Sequence, residues 1–163
     1  MTIVIVAVLS AVIAGIDQLI KYYVYANLYP DGRVSVIDNL FSLVYSENRG
    51  AAFGIFQNGT VFFSVVTVLL IGVFVYLLVS GKFKGRLFTS SMILIIGGGI
   101  GNLIDRIFRG FVIDYLSVSF FPPICNFADY CITIGAFLFM LCILLTTEKK
   151  SEEKTGEETN DSE

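Results

Sequence analysis

Long apolar runs alternate with short polar stretches along the chain. Residues 2–16 carry no charge, and a second uncharged run extends from Val61 to Val79. A third run starts near Leu87, and a fourth extends from about Ile124 to Thr147. Because a hydrocarbon core of about 30 Å takes about 20 helical residues, the pattern predicts four membrane-spanning helices.

The first run differs from a cleaved signal peptide. Such a peptide begins with a basic region and ends at a small-residue cleavage site, and neither accompanies residues 2–16. We therefore expect this run to be retained as a span. The overall composition agrees, because 55% of the residues are hydrophobic and the mean hydropathy is +0.78. Soluble domains contain about 45–50% apolar residues.

The net charge of −3 comes from the end of the chain. Residues 148–163 hold seven of the fourteen acids but only three lysines, so the tail is acidic and residues 1–147 are close to neutral. We expect one membrane domain over 1–147 and a disordered cytoplasmic tail over 148–163. The sequence shows no basic surface, so it gives no indication of a nucleic-acid partner.

The positive charges between the second and third runs predict the orientation. Lys82, Lys84 and Arg86 stand there without an acid, which places this loop in the cytoplasm by the positive-inside rule. Four spans then put both termini in the cytoplasm. The polar residues at the opposite helix ends lie toward the outer face.

Turn residues and short alternating runs fill the segment from Asn27 to Asn58. Pro30-Asp31-Gly32 is typical of a turn, and residues 41–45 are rich in β-formers. The segment predicts a small sheet at the membrane surface. Residues 48–54 follow with Gly50, Ala51 and Ala52, whose small size allows a close approach by another backbone or a ligand.

Polar residues interrupt the first and third runs at helical spacing. Asp17 and Lys21 are four residues apart, which favours an ion pair and is also typical of an interfacial helix anchor. Gly97 and Gly101 predict close helix packing in lipid. One helical face also carries the polar residues Asn102, Asp105, Arg106 and Arg109, for which a satisfied salt-bridge cluster is the alternative to a functional role.

Two acids near the start of the fourth run are the candidate catalytic groups. Asn126 and Asp129 have the spacing of a helix cap and a first-turn acid, which would explain both residues without catalysis. Asp114, however, lies in an apolar setting, and only fourteen residues, including Pro122 and Pro123, separate it from Asp129. A short connection between antiparallel helices would bring the two carboxyl groups together.

Two close carboxyl groups have a defined chemistry. Like charges raise one pKa, so one acid is protonated and the other charged. The charged acid can take a proton from water as it attacks a peptide carbonyl, and the protonated acid can donate to the carbonyl oxygen and the leaving amine. The chain has no histidine, which excludes Ser-His and Cys-His catalysis, and a zinc site would need an unusual ligand set. The three cysteines, Cys125, Cys131 and Cys142, are interpreted as small apolar side chains.

Five motifs in this order carry a resemblance that spans nearly the whole chain. They are Asp17-Gln18-x-x-Lys21, Asn48-x-Gly50-Ala51-Ala52-Phe53, Gly98-x-x-Gly101-Asn102-x-x-Asp105-Arg106, Val112-x-Asp114 and Asn126-x-Ala128-Asp129. The chain resembles the type II, or lipoprotein, signal peptidases of bacteria, which are aspartic peptidases of the inner membrane.

The resemblance implies specific roles for these positions. The catalytic dyad falls on Asp114 and Asp129, and the supporting or substrate-binding positions match Asp17, Lys21, Asn48, Gly50, Asn102, Arg106 and Asn126. The implied fold is a bundle of four transmembrane helices with a small extracytoplasmic β-cradle over residues 27–58. The implied substrate is a prolipoprotein cleaved just before its diacylglyceryl-modified cysteine, without metal or organic cofactor, by a protein we expect to be monomeric.

Some positions depart from the family pattern, and two other functions fit the same features. Tyr115 and Cys125 stand where phenylalanine is common, which affects the pocket wall more than the reaction type. A proton- or cation-coupled small transporter would also use intramembrane acids and glycines. A non-enzymatic assembly protein would use the polar clusters to hold helices together.

Overall fold

The computed structural model describes residues 1–50 and 59–160, and side chains as far as residue 147. In these parts of the chain it has four helices and four strands. They are, in chain order, α1 (Thr2–Leu28), β1 (Arg33–Ile37), β2 (Phe41–Asn48), α2 (Thr60–Ser80), α3 (Arg86–Arg109), β3 (Val112–Val118), β4 (Phe121–Cys125) and α4 (Phe127–Asn160).

The four predicted spans are confirmed as helices of sufficient length and apolarity. They are α1, α2, α3 and the part of α4 from Phe127 to Thr147. Helix α1 extends well beyond the end of the uncharged run, so Asp17 and Lys21 lie inside the helix rather than at its end. The tail boundary and the disorder of residues 148–163 stay predictions.

Helix α3 is the central helix of the bundle. It packs against α1, α2 and α4. Eleven of its 24 residues are buried, whereas α2 buries none of its 21 residues. The apolar side chains that α2 exposes, such as Val61, Phe62 and Leu69, suit contact with lipid.

Close packing through the α3 glycines is confirmed. A methyl group on Gly97 would lie 2.8 Å from Ile13 Cβ on α1. One on Gly98 would lie 2.5 Å from the Ala128 carbonyl oxygen on α4. One on Gly99 would lie 3.3 Å from Ile71 on α2. Glycine is therefore required where α3 meets α1 and α4, since a larger residue would separate the helix axes.

The sheet has four antiparallel strands in the order β1-β2-β3-β4. The prediction of strands in residues 27–58 is confirmed for β1 and β2, and residues 51–58 lie outside the described part. The short connection expected between the third and fourth helices contains two strands that the sequence did not predict, since β3 and β4 complete the sheet. Pro122 and Pro123 are compatible with β4 since it is an edge strand, where a missing amide proton costs no ladder bond.

Two hydrophobic clusters hold these layers together. One lies among the helices and contains Phe88, Met92, Ile95 and Ile96. The other lies where the end of α1 meets the sheet, and it contains Val24, Leu28, Ile113 and Tyr115. Because Ile113 and Tyr115 flank Asp114, the second cluster fixes the strand that carries this acid.

Candidate active site

Asn126 links the two candidate acids. It immediately precedes α4, and its Nδ2 donates a hydrogen bond to Asp114 Oδ1 on β3 over 2.6 Å. Its backbone N donates to Asp129 Oδ2 over 3.1 Å, and the backbone N of Asp129 donates to Asn126 Oδ1 over 3.0 Å. One buried asparagine therefore contacts both acids, and the structure brings Asp114 and Asp129 into one site.

Asp114 is the more enclosed of the two acids, with a relative exposure of 2%. Its second carboxyl oxygen accepts a hydrogen bond from Asn48 Nδ2 over 2.8 Å. The backbone N of the buried Gly50 donates to Asn48 Oδ1, which fixes the orientation of that amide. Burial, followed by the nearby charge of Asp129, raises the pKa of Asp114 to about 7.

Asp129 lies in the first turn of α4 and is half-buried. Its Oδ1 accepts a hydrogen bond from Asn102 Nδ2 on α3 over 2.8 Å. Both of its carboxyl oxygens therefore accept N–H donors, which fixes the orientation of the carboxyl group. The partial exposure of Asp129 leaves it the more accessible acid for a water molecule.

A buried ionic cluster lies behind Asn102. Lys21 Nζ is 2.8 Å from Asp17 Oδ2 and 3.0 Å from Asp105 Oδ2, and all three side chains are fully buried. Asp105 also pairs with Arg109, four residues along α3. The predicted Asp17–Lys21 pair is thus confirmed, but its alternative interpretation as an interfacial anchor was wrong because Asp105 encloses it from the neighbouring helix.

Lys21 connects this cluster to the candidate acids. Its Nζ donates to Asn102 Oδ1 over 2.9 Å, and the amide nitrogen of the same asparagine bonds Asp129. The salt-bridge cluster and the candidate acids are therefore parts of one hydrogen-bond network. Arg106, on the same helix, lies 5.9 Å from the Phe63 ring and interacts electrostatically with Asp114 and Asp129.

Two contacts in this network involve residues outside the predicted site. Gln18 Nε2 donates to Asp105 Oδ1 and to the Gly101 carbonyl oxygen, so it joins α1 to α3. The Tyr115 hydroxyl accepts a hydrogen bond from the Phe127 backbone N at the start of α4. The position of Gln18 between Asp17 and Lys21 was the available signal, and for Tyr115 the signal was its departure from the phenylalanine common in the family.

The three cysteines differ in how deeply they are buried. Cys131 and Cys142 are buried free thiols, which confirms their interpretation as small core residues. Cys125 is a half-buried free thiol on β4, and burial together with the charges of Asp129 and Asp114 raises its pKa. It therefore lies near the candidate acids, at the position expected for the pocket wall.

Comparisons with known proteins match most of the chain to one family. Residues 9–145 match the family model described as signal peptidase (SPase) II. The lipoprotein signal peptidase of Caldanaerobacter subterraneus subsp. tengcongensis is 43% identical over 131 residues, covering 80% of this chain and 90% of that protein. The lipoprotein signal peptidase of Streptococcus thermophilus is 42% identical over 139 residues, covering 85% and 90%.

The fold is also similar to solved structures. A bacterial membrane enzyme determined by the in meso method at 2.3 Å resolution superposes with a TM-score of 0.81 and 27% identity, covering 89% of this chain and 90% of that chain. A second, at 1.9 Å resolution, gives a TM-score of 0.76.

Proposed function

Because the chain belongs to the signal peptidase II family and therefore cleaves lipoprotein signal peptides, we propose that it acts as an aspartic endopeptidase with Asp114 and Asp129 as its catalytic dyad. It is a multi-pass cell-membrane protein. The transporter hypothesis was wrong, since the relatives that cover most of the chain are peptidases. The same relatives leave no support for a purely structural assembly protein.

The observation that carries this proposal is the position of Asn126 between the acids. It bonds one oxygen of Asp114 and both the backbone and side chain of Asp129, so neither carboxyl group can turn away from the other without losing a bond. Two carboxyl groups held in one site, one of them partly exposed, can supply the acid and the base for peptide hydrolysis.

The surroundings of the acids assign their roles. Asp114 is enclosed and retains its proton near neutral pH, because burial raises its pKa to about 7. Asp129 is more exposed and is held by two N–H donors, so we assign it the role of the base that takes a proton from water. The water oxygen attacks the scissile carbonyl while Asp114 donates its proton to the carbonyl oxygen.

Collapse of the tetrahedral intermediate restores both acids. Asp129 passes its new proton to the leaving amine as the C–N bond breaks, and Asp114 recovers a proton from the hydroxyl group of the intermediate. The products are a carboxylate end on the signal peptide and a free amine on the cysteine of the lipoprotein. No metal or organic cofactor enters this sequence of steps.

The position of the acids supports a substrate held at the membrane boundary. Asp129 is in the first turn of a spanning helix and Asp114 is on the adjoining sheet. A prolipoprotein can then place its scissile bond at the acids while its diacylglyceryl group and its apolar signal helix stay in lipid. This placement is compatible with cleavage just before the lipidated cysteine.

The charges of the α2–α3 loop support the orientation. Lys82 and Lys84 lie at the end of the helices opposite to the sheet, and cytoplasmic loops are enriched in such residues. The sheet and the dyad then face the outside of the cell, and both termini face the cytoplasm. A single chain contributes all the polar groups of this site, so we expect a monomer to be active.

The remaining polar residues support the acids. Asn48 and Asn102 each donate to one acid and have their amide oxygen bound by another donor, which fixes their orientation. Arg106 lies beside the dyad with its guanidinium over Phe63, where it can stabilise negative charge that develops on the substrate. Part of the motif containing Gly50, namely residues 51–53, lies outside the described residues.

A gel-shift cleavage assay in detergent tests the proposal. The substrate is a diacylglyceryl-modified prolipoprotein, with its unlipidated form as a comparison. We expect wild type and Asp38→Asn, a change at an exposed acid of the β1–β2 turn, to cleave the lipidated form. Asp114→Asn and Asp129→Asn should be inactive although folded. Full activity in either dyad variant would reject the dyad, and equal cleavage of both substrates would reject the lipid requirement.

A further inference from the structure

The two acids of the buried ionic cluster bind the backbone next to the two acids of the dyad. Asp105 Oδ2 accepts a hydrogen bond from the backbone N of Ile113 over 3.1 Å. Asp17 Oδ1 accepts one from the backbone N of Ala128, also over 3.1 Å. Ile113 immediately precedes Asp114 and Ala128 immediately precedes Asp129, so each dyad acid has an anchored residue directly before it in the chain.

Lys21 joins these two anchors. Its ammonium group contacts Asp17 Oδ2 and Asp105 Oδ2 at 2.8 and 3.0 Å, and the three side chains are 0% exposed. A continuous path of short polar contacts therefore leads from the backbone of β3 to the backbone of α4. The path crosses α1 and α3, whose close packing at Gly101 leaves little room, since a methyl group there would lie 2.6 Å from Asp17 Oδ2.

Net stability is a weak explanation for such a cluster. Burying charges in an apolar interior costs several kcal/mol per ion, and well-packed apolar residues often replace a buried ion pair without loss. What apolar side chains cannot supply is a directional bond to a particular N–H group. Hydrogen bonds to ionised acceptors are also short and strong, which suits them to fixing a distance.

We propose that Asp17 and Asp105, clamped by Lys21, are positioning residues that set the separation of the two catalytic acids. This inference rests on the proposed dyad. Asn126 links the side chains of the two acids, which lie on a strand and on a helix, but the separation of the two backbones needs a further constraint. The clamp fixes this separation through the backbone N–H groups of Ile113 and Ala128. The bond from Lys21 to Asn102 also directs the Asn102 amide toward Asp129.

The proposal predicts a loss in turnover rather than in substrate affinity. A misplacement of about 1 Å can lower a rate about 10²-fold. Asp17→Asn and Asp105→Asn should each lower kcat by about this factor, while KM for the lipidated prolipoprotein changes by less than about twofold. The double variant should have about the same kcat as the more impaired single variant, because the loss of one anchor already leaves the separation of the two acids unfixed.

Two glycine variants provide a test that leaves every charge in place. Gly101→Ala displaces the Asp17 carboxyl group and should lower kcat without changing KM. Gly15→Ala lies on α1 with nothing within 4 Å of the added methyl group and should match wild type. Ser10→Ala removes a buried hydrogen bond between α1 and α3 remote from the dyad, and it should lower thermal stability but leave kcat unchanged.

The measurement is steady-state cleavage of the lipidated prolipoprotein, with thermal unfolding of each variant in the same detergent. Unchanged kcat in Gly101→Ala and in the folded aspartate variants would overturn the proposal, as would losses that multiply fully in the double variant. If the aspartate variants do not fold, Gly101→Ala alone decides. Activity in Asp114→Asn or Asp129→Asn would instead reject the dyad itself, which separates the two failures.

Discussion

Asn126 and Asp129 exchange two hydrogen bonds across the first turn of α4, each backbone N donating to the side chain of the other residue. This is the reciprocal arrangement of a helix cap, so the capping interpretation of the two residues holds as geometry. It does not displace a catalytic interpretation, because the Asn126 Nδ2 is left to bind Asp114. The helix cap itself places Asp129 beside Asp114.

The two functions of Asn126 can be separated by substitution. Asn126→Ser keeps a capping oxygen but loses the donor to Asp114, whereas Asn126→Ala loses both. We expect both variants to lose about 10-fold or more in kcat, and only Asn126→Ala to lose about 1 kcal/mol of stability as well. Thermal unfolding and cleavage assays on the same preparations check this. Wild-type turnover in Asn126→Ser would show that the bond to Asp114 is dispensable.

The pKa of Asp114 predicts how activity depends on pH. Burial, and then the charge of Asp129, raise this pKa to about 7, so the general acid loses its proton as the pH rises through that value. Cleavage should therefore decline on the alkaline side of about pH 7. A pH profile of kcat that stays flat well above neutral would contradict the assignment of Asp114 as the acid.

Stability should change with pH in the same range. The folded Asp114 carboxyl group keeps its proton above its ordinary pKa of 3.8, where the unfolded chain has released it. Its contribution to stability is therefore greatest below about 3.8 and falls as the pH rises to about 7. Thermal unfolding of wild type and Asp114→Asn checks this. The unfolding temperature should change with pH at different slopes in the two proteins between about pH 3.8 and 7, and at the same slope outside this range.

Cys125 offers a chemical test of the site wall. It is the half-buried thiol, and Cys131 and Cys142 are buried, so a maleimide should modify Cys125 first. Because its pKa is raised, labelling should need a more alkaline solution than a free cysteine does. Modification should block cleavage of the lipidated substrate. Cys125→Ser should remain active and resist the reagent; equal inhibition of this variant would place the reactive thiol elsewhere.

Labelling of an introduced cysteine tests the orientation, because the remaining Cys131 and Cys142 are buried. In a Cys125→Ser background, Asp38→Cys lies on the exposed β1–β2 turn and Lys84→Cys lies in the α2–α3 loop. A membrane-impermeant maleimide added to intact cells should modify the first and not the second. The opposite pattern would reverse the proposed topology, and permeabilised cells provide the control for both positions.

The helices could be predicted from sequence because each is local and strongly apolar. The sheet could be predicted only in part, since β2 pairs with β3 across a long stretch of chain, as in the pairing of Ser46 with Asp114. No residue near Asp114 in the sequence indicates that β3 pairs with β2. The alternating pattern of β3 is also short, and two prolines follow it, so the segment resembled a loop.

The candidate site shows the same limit. Residue types and spacing identified Asp114, Asp129 and the supporting residues, but spacing only permitted the acids to meet. The burial of Lys21 depends on Asp105, which lies on another helix, and a pair at i and i+4 looks the same whether it faces water or a second helix. Contacts between elements, rather than residues within them, were the missing information.

The unequal burial of the spans has a consequence for tolerance to sequence change. Helix α2 buries none of its residues, so it need only be long and apolar, and many apolar sequences would serve in its place. Helix α3 must fit three neighbours, present glycines at fixed positions and carry the polar network. Random mutagenesis of this domain should therefore accept many apolar substitutions in α2 and few in α3.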